Sequence, residues 1–489
     1  MTFLKELLRK NIYVDLEDNF TYLKELFENN TDVVFRRFYV GPWEAALIYV
    51  EGLADNKLLN DFVMETLMIF GDRVQSIEDI KDTLITVTDI KEEKKLDSAI
   101  KALLSGETIF MIDGIDIAYI IATKFWPSRG ISEPSSESVL RGPKDALVES
   151  LRANTALIRR RIRDTRLKVE STTVGVRSKT DIAIMYVEDI VNHDVLAQVK
   201  EKLDKINIDA ILDSAYIEQL LEGSKWSIFP QIQATERPDV VAAALLEGRV
   251  ALVVDNSPFC LIVPATLSAL FQSPDDYNQR WLYASSIRLL RTIAILLSLV
   301  LPGVYVSVTS FHTSILPTRL VYAMAASREG VPFPAFIETL IMELSMALLV
   351  EAVLRLPNGL GATIGIVGGL IIGQAAVSAG IVSPAMIIIV SITSLTTFIT
   401  PHYEVISSQR IIRVTLIIAA AIIGFYGIVL MLIVFLIHLA KLESFGVPYM
   451  APIVNTRSSD MKDTFIRAPL RFFRKRPAYI NPQDKIRQK

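Results

Sequence analysis

Residues 361–373 read GATIGIVGGLIIG, with glycine at every fourth position inside an otherwise apolar run. In a helix exposed to water each glycine costs about 1 kcal/mol relative to alanine. Four at this spacing suit a helix in lipid better. No hydrophobic drive brings helices together there, so contact depends on small residues that let backbones approach. Gly361, Gly365, Gly369 and Gly373 fall on one helix face, approximately continued by Ala376 and Gly380. Ile364, Ile366, Val367, Leu370, Ile371 and Gln374 occupy the rest of the circumference. Ile364, Val367 and Ile371 lie three and four apart, on a face displaced from the glycines. The stretch predicts a membrane helix with a flat packing side.

The same character extends both ways. Apolar runs cover about 291–309, 335–354, 361–383, 384–400 and 411–440. A helix needs about 20 apolar residues to cross the hydrocarbon. The last run is easily long enough, whereas the fourth is short, between Pro384 and Pro401. Arg280, Arg288 and Arg291 precede the first run. Past Lys441 the chain is basic and includes FIRAPLRFFRKRP (465–477). Positive flanks stay cytoplasmic, so both ends are expected on that side and the number of crossings is expected to be even. One of the five runs then does not cross. The candidate is 335–354, which carries Glu338, Glu343 and Glu351, because a carboxylate at mid-bilayer costs about 2.5–3.5 kcal/mol on the mildest scale. Glu343, Ala347, Glu351 and Arg355 form one stripe along a helix. That stripe reads either as a surface helix with salt-bridged contacts or as an acidic ring at the mouth of a cation pathway.

The 280 residues before these runs differ in kind. A 489-residue chain is too long for one ordinary core. Residues 1–280 are mixed and charged, and 291–440 nearly uncharged. The net charge of −3 argues against nucleic acid as a partner of the whole molecule. A lone cysteine, Cys260, excludes an intramolecular disulfide and a cysteine-based zinc cage. His193, His312, His402 and His438 are scattered, which speaks against a histidine-rich metal site. The N-terminal MTFLKELLRKNIYVDLEDNF lacks the apolar centre of a signal peptide, so the first 280 residues are expected to remain on the side of synthesis.

Two pairs of segments in this region echo each other. EAALIYVEGLADNKLLNDFVMETL (44–67) resembles TDIAIMYVEDIVNHDVLAQVKEKL (180–203), each a strand and then a helix. LLSGETIFMIDGIDIAYIIAT (103–123) resembles LLEGRVALVVDNSPFCLIVPA (245–265), each a helix end, a glycine stop and two strands around Asp113-Gly114 or Asp255-Asn256. The expected fold class is an α/β soluble N-terminal region of two similar α/β subdomains, followed by an α-helical multi-pass membrane domain. The expected boundaries are 1–125 and 145–275 for the subdomains, 126–144 for a Pro/Gly/Ser-containing linker, 285–440 for the membrane domain and 441–489 for a basic cytoplasmic tail. The helix expected from Pro143 onward ends in Arg159, Arg160, Arg161, Arg163, Arg166 and Lys168. It reads as a solvated helix paired with nearby acids, or as a surface for anionic lipid, a nucleotide or an acidic partner.

Chemistry-bearing motifs are missing. VGVRSKT (174–180) resembles the end of a phosphate loop, but Ser178 and Thr173 stand where that motif needs glycine. Neither G-x-S-x-G nor H-E-x-x-H occurs. No enzyme activity, metal or cofactor is expected.

Four long stretches in order, PSRGISEPSSESVLRGPKDALVESLRANTALIRRRIRD, QATERPDVVAAALLEGRVALVVDNSPFCLIVP, TSFHTSILPTRLVYAMAASREGVPFP and RLPNGLGATIGIVGGLIIGQAAVSAGIVSP, resemble the A-subunit family of bacterial spore germinant receptors (the GerA type). The likeness runs from about 120 to 440. It implies a protein of the spore inner membrane that works beside a nutrient-binding B subunit and a lipoprotein C subunit. It further implies a homo-oligomer forming a nutrient-gated channel for monovalent cations, and no enzyme. On that implication Ile364, Val367, Ile371 and Gln374 become pore and gate candidates beside the packing ladder of glycines. Two other readings remain open: a secondary transporter, against which stands the lack of an inverted repeat, and a non-conducting scaffold subunit.

Overall fold

The computed structural model describes residues 10–488, apart from 75, 78, 126–133, 135–136, 356–368, 370–372 and 455–459. The chain divides into two units, one of residues 1–223, 232–264 and 473–489, the other of 224–231 and 265–472.

The first unit contains two sheets. β1 (Val33–Val40), β2 (Trp43–Val50), β3 (Ile90–Glu93), β4 (Thr108–Ile112) and β5 (Ala118–Ile121) align in the order β1-β2-β4-β5-β3. β6 (Leu167–Val174), β7 (Thr180–Val187), β8 (Gln233–Thr235), β9 (Val250–Val254) and β10 (Cys260–Val263) align as β6-β7-β9-β10-β8. The two orders are one permutation, and every pairing is antiparallel. The internal echo is thus a repeated fold.

Each sheet gains its core from amphipathic helices. α1 (Leu16–Leu26) and α2 (Leu96–Leu103) bury Leu16, Phe20, Leu23, Leu96, Ile100 and Leu103 against Ile48, Val50, Ile109 and Ile120. These helix positions recur three and four apart, as one buried face requires. In the second sheet α3 (Leu151–Arg159) and α5 (Pro238–Glu247) bury Leu151, Leu157, Ile158, Val241 and Leu245, while α4 (His193–Asp204) follows β7. Gly248 ends α5 with φ +99, the left-handed geometry that closes a helix and that glycine adopts without a Cβ penalty.

The repeat reaches down to single hydrogen bonds. Asp113 Oδ1 accepts from the Leu16 amide at 3.1 Å, and Asp255 Oδ1 accepts from the Leu151 amide at 3.1 Å. Asn19 and Asn154, each three residues into its helix, exchange side-chain hydrogen bonds with the backbone of Tyr13 and Val148. The two aspartate bonds satisfy amides that a helix start leaves unpaired, and the asparagines tie each helix to the segment that enters it.

The second unit is helical: α6 (Trp281–Ser310), α7 (Thr318–Arg328), α8 (Ala335–Arg355), α9 (Pro384–Thr397), α10 (Tyr403–Ile423) and α11 (Phe425–Lys441). α6, of 30 residues, is about 45 Å long. It and the 21-residue α10 are long and apolar enough to cross a bilayer, whereas α9 and α11 are shorter apolar helices. α6 packs on α10 and α9. At Gly303 an added Cβ would meet Ile428 Cδ1 at 3.3 Å and Leu416 O at 3.5 Å, so the chains approach closely there. Val306, Ile412, Leu416, Ala420 and Ile428 form the surrounding core.

Three sequence expectations need correction. The run 411–440 is two helices, because the chain reverses at Gly424, whose φ 62 and ψ −138 no L side chain adopts readily. The tail of 441–489 is not one piece, since residues up to 472 belong with the helices and 473–489 with the α/β unit. The second α/β region ends at 264 rather than 275, the chain from 265 on packing with the helices. Residues 361–368 and 370–372 of the run 361–383 lie outside the described residues, and 373–378 is helical.

Candidate functional site

The carboxylates of α8 do not share one environment. Glu338 is fully buried; its carboxylate lies 3.0 Å from Arg328 Nη2 and accepts from Ser383 Oγ at 3.0 Å. Ser383 Oγ in turn lies 3.0 Å from the Tyr305 hydroxyl. Glu343 pairs with Arg413 Nη1 at 3.0 Å, and Arg413 also donates to Thr397 Oγ1. Glu351 is exposed and accepts from Arg355 one turn on at 2.6 Å. A buried carboxylate without a partner is strongly unfavourable, and the pairing with Arg328 and Arg413 answers that cost. The stripe Glu343–Glu351–Arg355 is therefore split between an inward ion pair and an outward one.

The glycine helix is described at Gly369 and from Gly373 onward, so Gly361, Gly365, Ile364, Val367 and Ile371 lie outside the described residues. At Gly369 an added Cβ would stand 4.0 Å from Leu349 Cδ2 of α8; at Gly373 it would stand 3.8 Å from Ile387 Cγ2 of α9. Both contacts are within the chain. Ala376 and Val377 pack with Met386, Val390 and Met342, whereas Gln374, Ala375, Ser378 and Ala379 are exposed. This short stretch therefore has a packed side and an open side lined by small and polar groups.

The basic run 159–168 is not a solvated helix. α3 stops at Arg159, and Arg159 is 0% exposed. Its Nη2 donates to Asp32 Oδ1 and to Asn30 Oδ1, each at 2.9 Å, and its Nε donates to Asp32 Oδ2. Lys168, the second residue of β6, donates to the Glu28 carbonyl at 2.6 Å, and burial holds its ammonium below its ordinary pKa. The Thr31 amide donates to Val169 O at 2.9 Å. Ala156 enters the first sheet's core. Two members of the run thus latch the second α/β subdomain to the first. Arg161 and Arg166 instead pair with Asp145 and Asp189. Asp32, Asn30 and Thr31 escaped the sequence reading because they lie over a hundred positions away, with no motif linking them.

The end of the chain is also fastened. Asn192 Nδ2 donates to Ile480 O at 3.1 Å, and the Gln483 amide donates to Ile190 O at 3.1 Å. Arg476 Nε donates to Leu246 O at 2.8 Å, and Ile480 is fully buried. Residues 473–488 are a strap on the second α/β subdomain.

Among the described residues no three His, Cys, Asp or Glu side chains gather in a metal-binding group. What these features define is a duplicated α/β region joined to apolar helices stitched by ion pairs. The sequence pattern of the Bacillus/Clostridium GerA spore germination protein family matches residues 21–479, and the chain belongs to that family, the A subunits of germinant receptors. It is similar to spore germination protein B1 of Bacillus subtilis (strain 168), 43% identical over 484 residues, covering 97% of this chain and 99% of that protein. Spore germination protein KA of the same organism is 43% identical over 479 residues, covering 97% and 88%. The N-terminal domain of the A subunit of the Bacillus megaterium spore germinant receptor GerK3, a crystal structure, is 34% identical, with a TM-score of 0.42, covering 53% of this chain and 97% of that one.

Proposed function

We propose that the chain is the membrane subunit of a nutrient-responsive germination receptor in the spore inner membrane, and that its copies assemble into a cation channel. A partner B subunit binds the germinant and opens the channel, with a lipoprotein C subunit completing the receptor. The observation that carries the channel reading is the open side of the glycine helix. Over 287–309 of α6 and 427–439 of α11 the exposed residues are all leucine, isoleucine or valine, as lipid demands, whereas Gln374 and Ser378 are polar. Polar side chains on an otherwise apolar helix are favoured where they meet water, as in a pore.

Connectivity supports the topology. Residues before the helices and residues 473–489 after them belong to one compact unit, which lies on a single side of the membrane. The helical stretch leaves and returns to that side, an even number of crossings, with both ends in the cytoplasm by the basic flanks.

The test is planar-bilayer recording from purified oligomer. Discrete conductance steps are expected, and in Gln374→Cys a positively charged thiosulfonate reagent is expected to reduce them. Val434→Cys, on the outward face of α11, is expected to leave them unchanged. Saturable, co-ion-dependent flux without steps would point to a transporter. No flux from intact oligomers would leave a scaffold.

A further inference from the structure

We propose that residues 464–472 and the first turn of α6 form a membrane-interface anchor that binds anionic lipid headgroups; this rests on the reading of α6 as a membrane-spanning helix. The segment 464–472 is clamped to α6 through its polar side. Arg467, buried, donates to Gln279 O at 2.9 Å, and Ser285 Oγ donates to Arg467 O at 3.0 Å. Just before it, Asp463 accepts from Arg288 Nη1 at 2.8 Å; Asp276 accepts from both Arg288 and Arg291. The network fixes the segment, and the apolar residues are left outside. Phe465, Ile466, Leu470 and Phe472 are exposed, Leu470 and Phe472 at 60% each. Beside them on α6, Trp281, Leu282 and Tyr283 are exposed as well.

Two observations say what covers this surface. First, it continues the outward stripe of α6, where Leu289, Leu290, Ile293, Leu296 and Leu297 are exposed. From Trp281 to Leu289 is about 12 Å along the axis, so a bilayer that covers the stripe brings its headgroup layer to Trp281 and Tyr283. Tryptophan and tyrosine favour that depth, the ring in the acyl boundary and the polar atom in water. Second, the exposed charges on these two pieces are cations. Arg280 and Arg471 are exposed among the apolar groups, where a guanidinium reaches a phosphate while its stem lies on apolar surface. Aromatic and aliphatic groups interleaved with arginine match an anionic lipid surface.

The experiment uses the full chain with single cysteines in a Cys260→Ala background, labelled with a polarity-sensitive fluorophore. Leu470→Cys and Phe472→Cys report the anchor; Val434→Cys reports the bilayer itself. The proteins are reconstituted into vesicles of phosphatidylcholine, or of phosphatidylcholine and phosphatidylglycerol in equal parts, with lipids brominated near the headgroup end of the acyl chain. Labels at 470 and 472 are expected to lose fluorescence to the brominated lipid, more in the anionic vesicles, and Arg471→Glu is expected to remove that difference. Quenching at 434 but not at 470 or 472 would overturn the anchor and leave the spanning reading intact. No quenching at 434 would overturn both. Equal quenching with and without phosphatidylglycerol would overturn the preference for anionic lipid. Labels unquenched in vesicles, but blue-shifted on adding a receptor B subunit, would make the surface a protein contact and refute the proposal.

Discussion

Arg159 and Asp32 face each other across the two α/β subdomains with no water-exposed surface to relieve either charge. Removing one partner strands the other in a low-dielectric interior, which costs about 3–5 kcal/mol. Arg159→Ala and Asp32→Ala are each expected to lower the stability of the α/β unit by that order, seen as a lower thermal midpoint. The double change Arg159→Met, Asp32→Leu is expected to cost less than either, because no charge is left unpaired. Arg159→Lys is expected to rescue little, since an ammonium cannot reproduce the donation through Nε and Nη2. Differential scanning of the purified full chain reads all four. Lys168 supplies a pH signature. Its folded pKa is held down by burial, below the unfolded value of about 10.4, so the unfolded chain binds more protons between the two. Stability is therefore expected to rise with pH across that window and fall as pH drops through the folded value, a slope that Lys168→Met should flatten. Neither role was legible from the run RRRIRDTRLK, because charge density fixes neither which cation turns inward nor what it meets. The pairing depends on residues 30–32, just before β1, lying against β6 and the end of α3, a tertiary fact.

The strands and their repeat could be read from β-branched apolar runs and from turn residues, since Asp113-Gly114 and Asp255-Asn256 are local signals. The break between α10 and α11 could not. Residues 411–440 are apolar almost throughout, and hydrophobicity has no period to lose where every side faces lipid or core. The signal was present in Gly424 and Gly427, which read equally well as small packing residues. The structure gives each a specific task. Gly424 carries φ 62 with His312 Cε1 2.7 Å from where a Cβ would lie, and a Cβ at 427 would overlap the Ala419 carbonyl. Gly424→Ala therefore adds both backbone strain and a clash. It is expected to abolish the tight hairpin, seen as loss of monodisperse protein in detergent and as protease sensitivity near 424. Gly369→Ala has room by the same measure, with 4.0 Å to Leu349, and is expected to assemble as wild type on a native gel. Gly369→Leu, which extends further atoms toward Leu349, is expected to loosen the packing of the glycine helix on α8. A native assembly from Gly369→Leu would show that this glycine face packs nothing closely.

The α/β unit takes chain from both before and after the helices. The chain leaves that unit at residue 264, runs through the helices, and comes back at 473 to lie on the second α/β subdomain. Nothing in the basic composition of KLESFGVPYM…RKRPAYINPQDK marked its last part as a packed strap. A charged terminal segment usually stays solvated, and here the binding side uses backbone carbonyls of 190, 246 and 480 that no sequence pattern displays. Ile480 is the apolar plug of this contact, fully buried, while Pro482 Cβ would lie 3.2 Å from a Cβ placed on Gly248. Truncating a buried isoleucine to alanine costs about 2–5 kcal/mol, and Ile480→Ala is expected to release the strap. Limited proteolysis of the full chain in detergent should then cut within 473–489 at a protease concentration that leaves wild type intact. If the strap matters to signalling, the released form should assemble normally yet germinate poorly in spores, because the exit of the helical stretch is no longer fixed to the α/β unit. Ile480→Val, which keeps most of the side-chain volume, should restore both protection and germination. Normal proteolytic protection in Ile480→Ala would show that the strap is held by its hydrogen bonds alone. Released strap with normal germination would show that the second attachment serves stability and carries no signal.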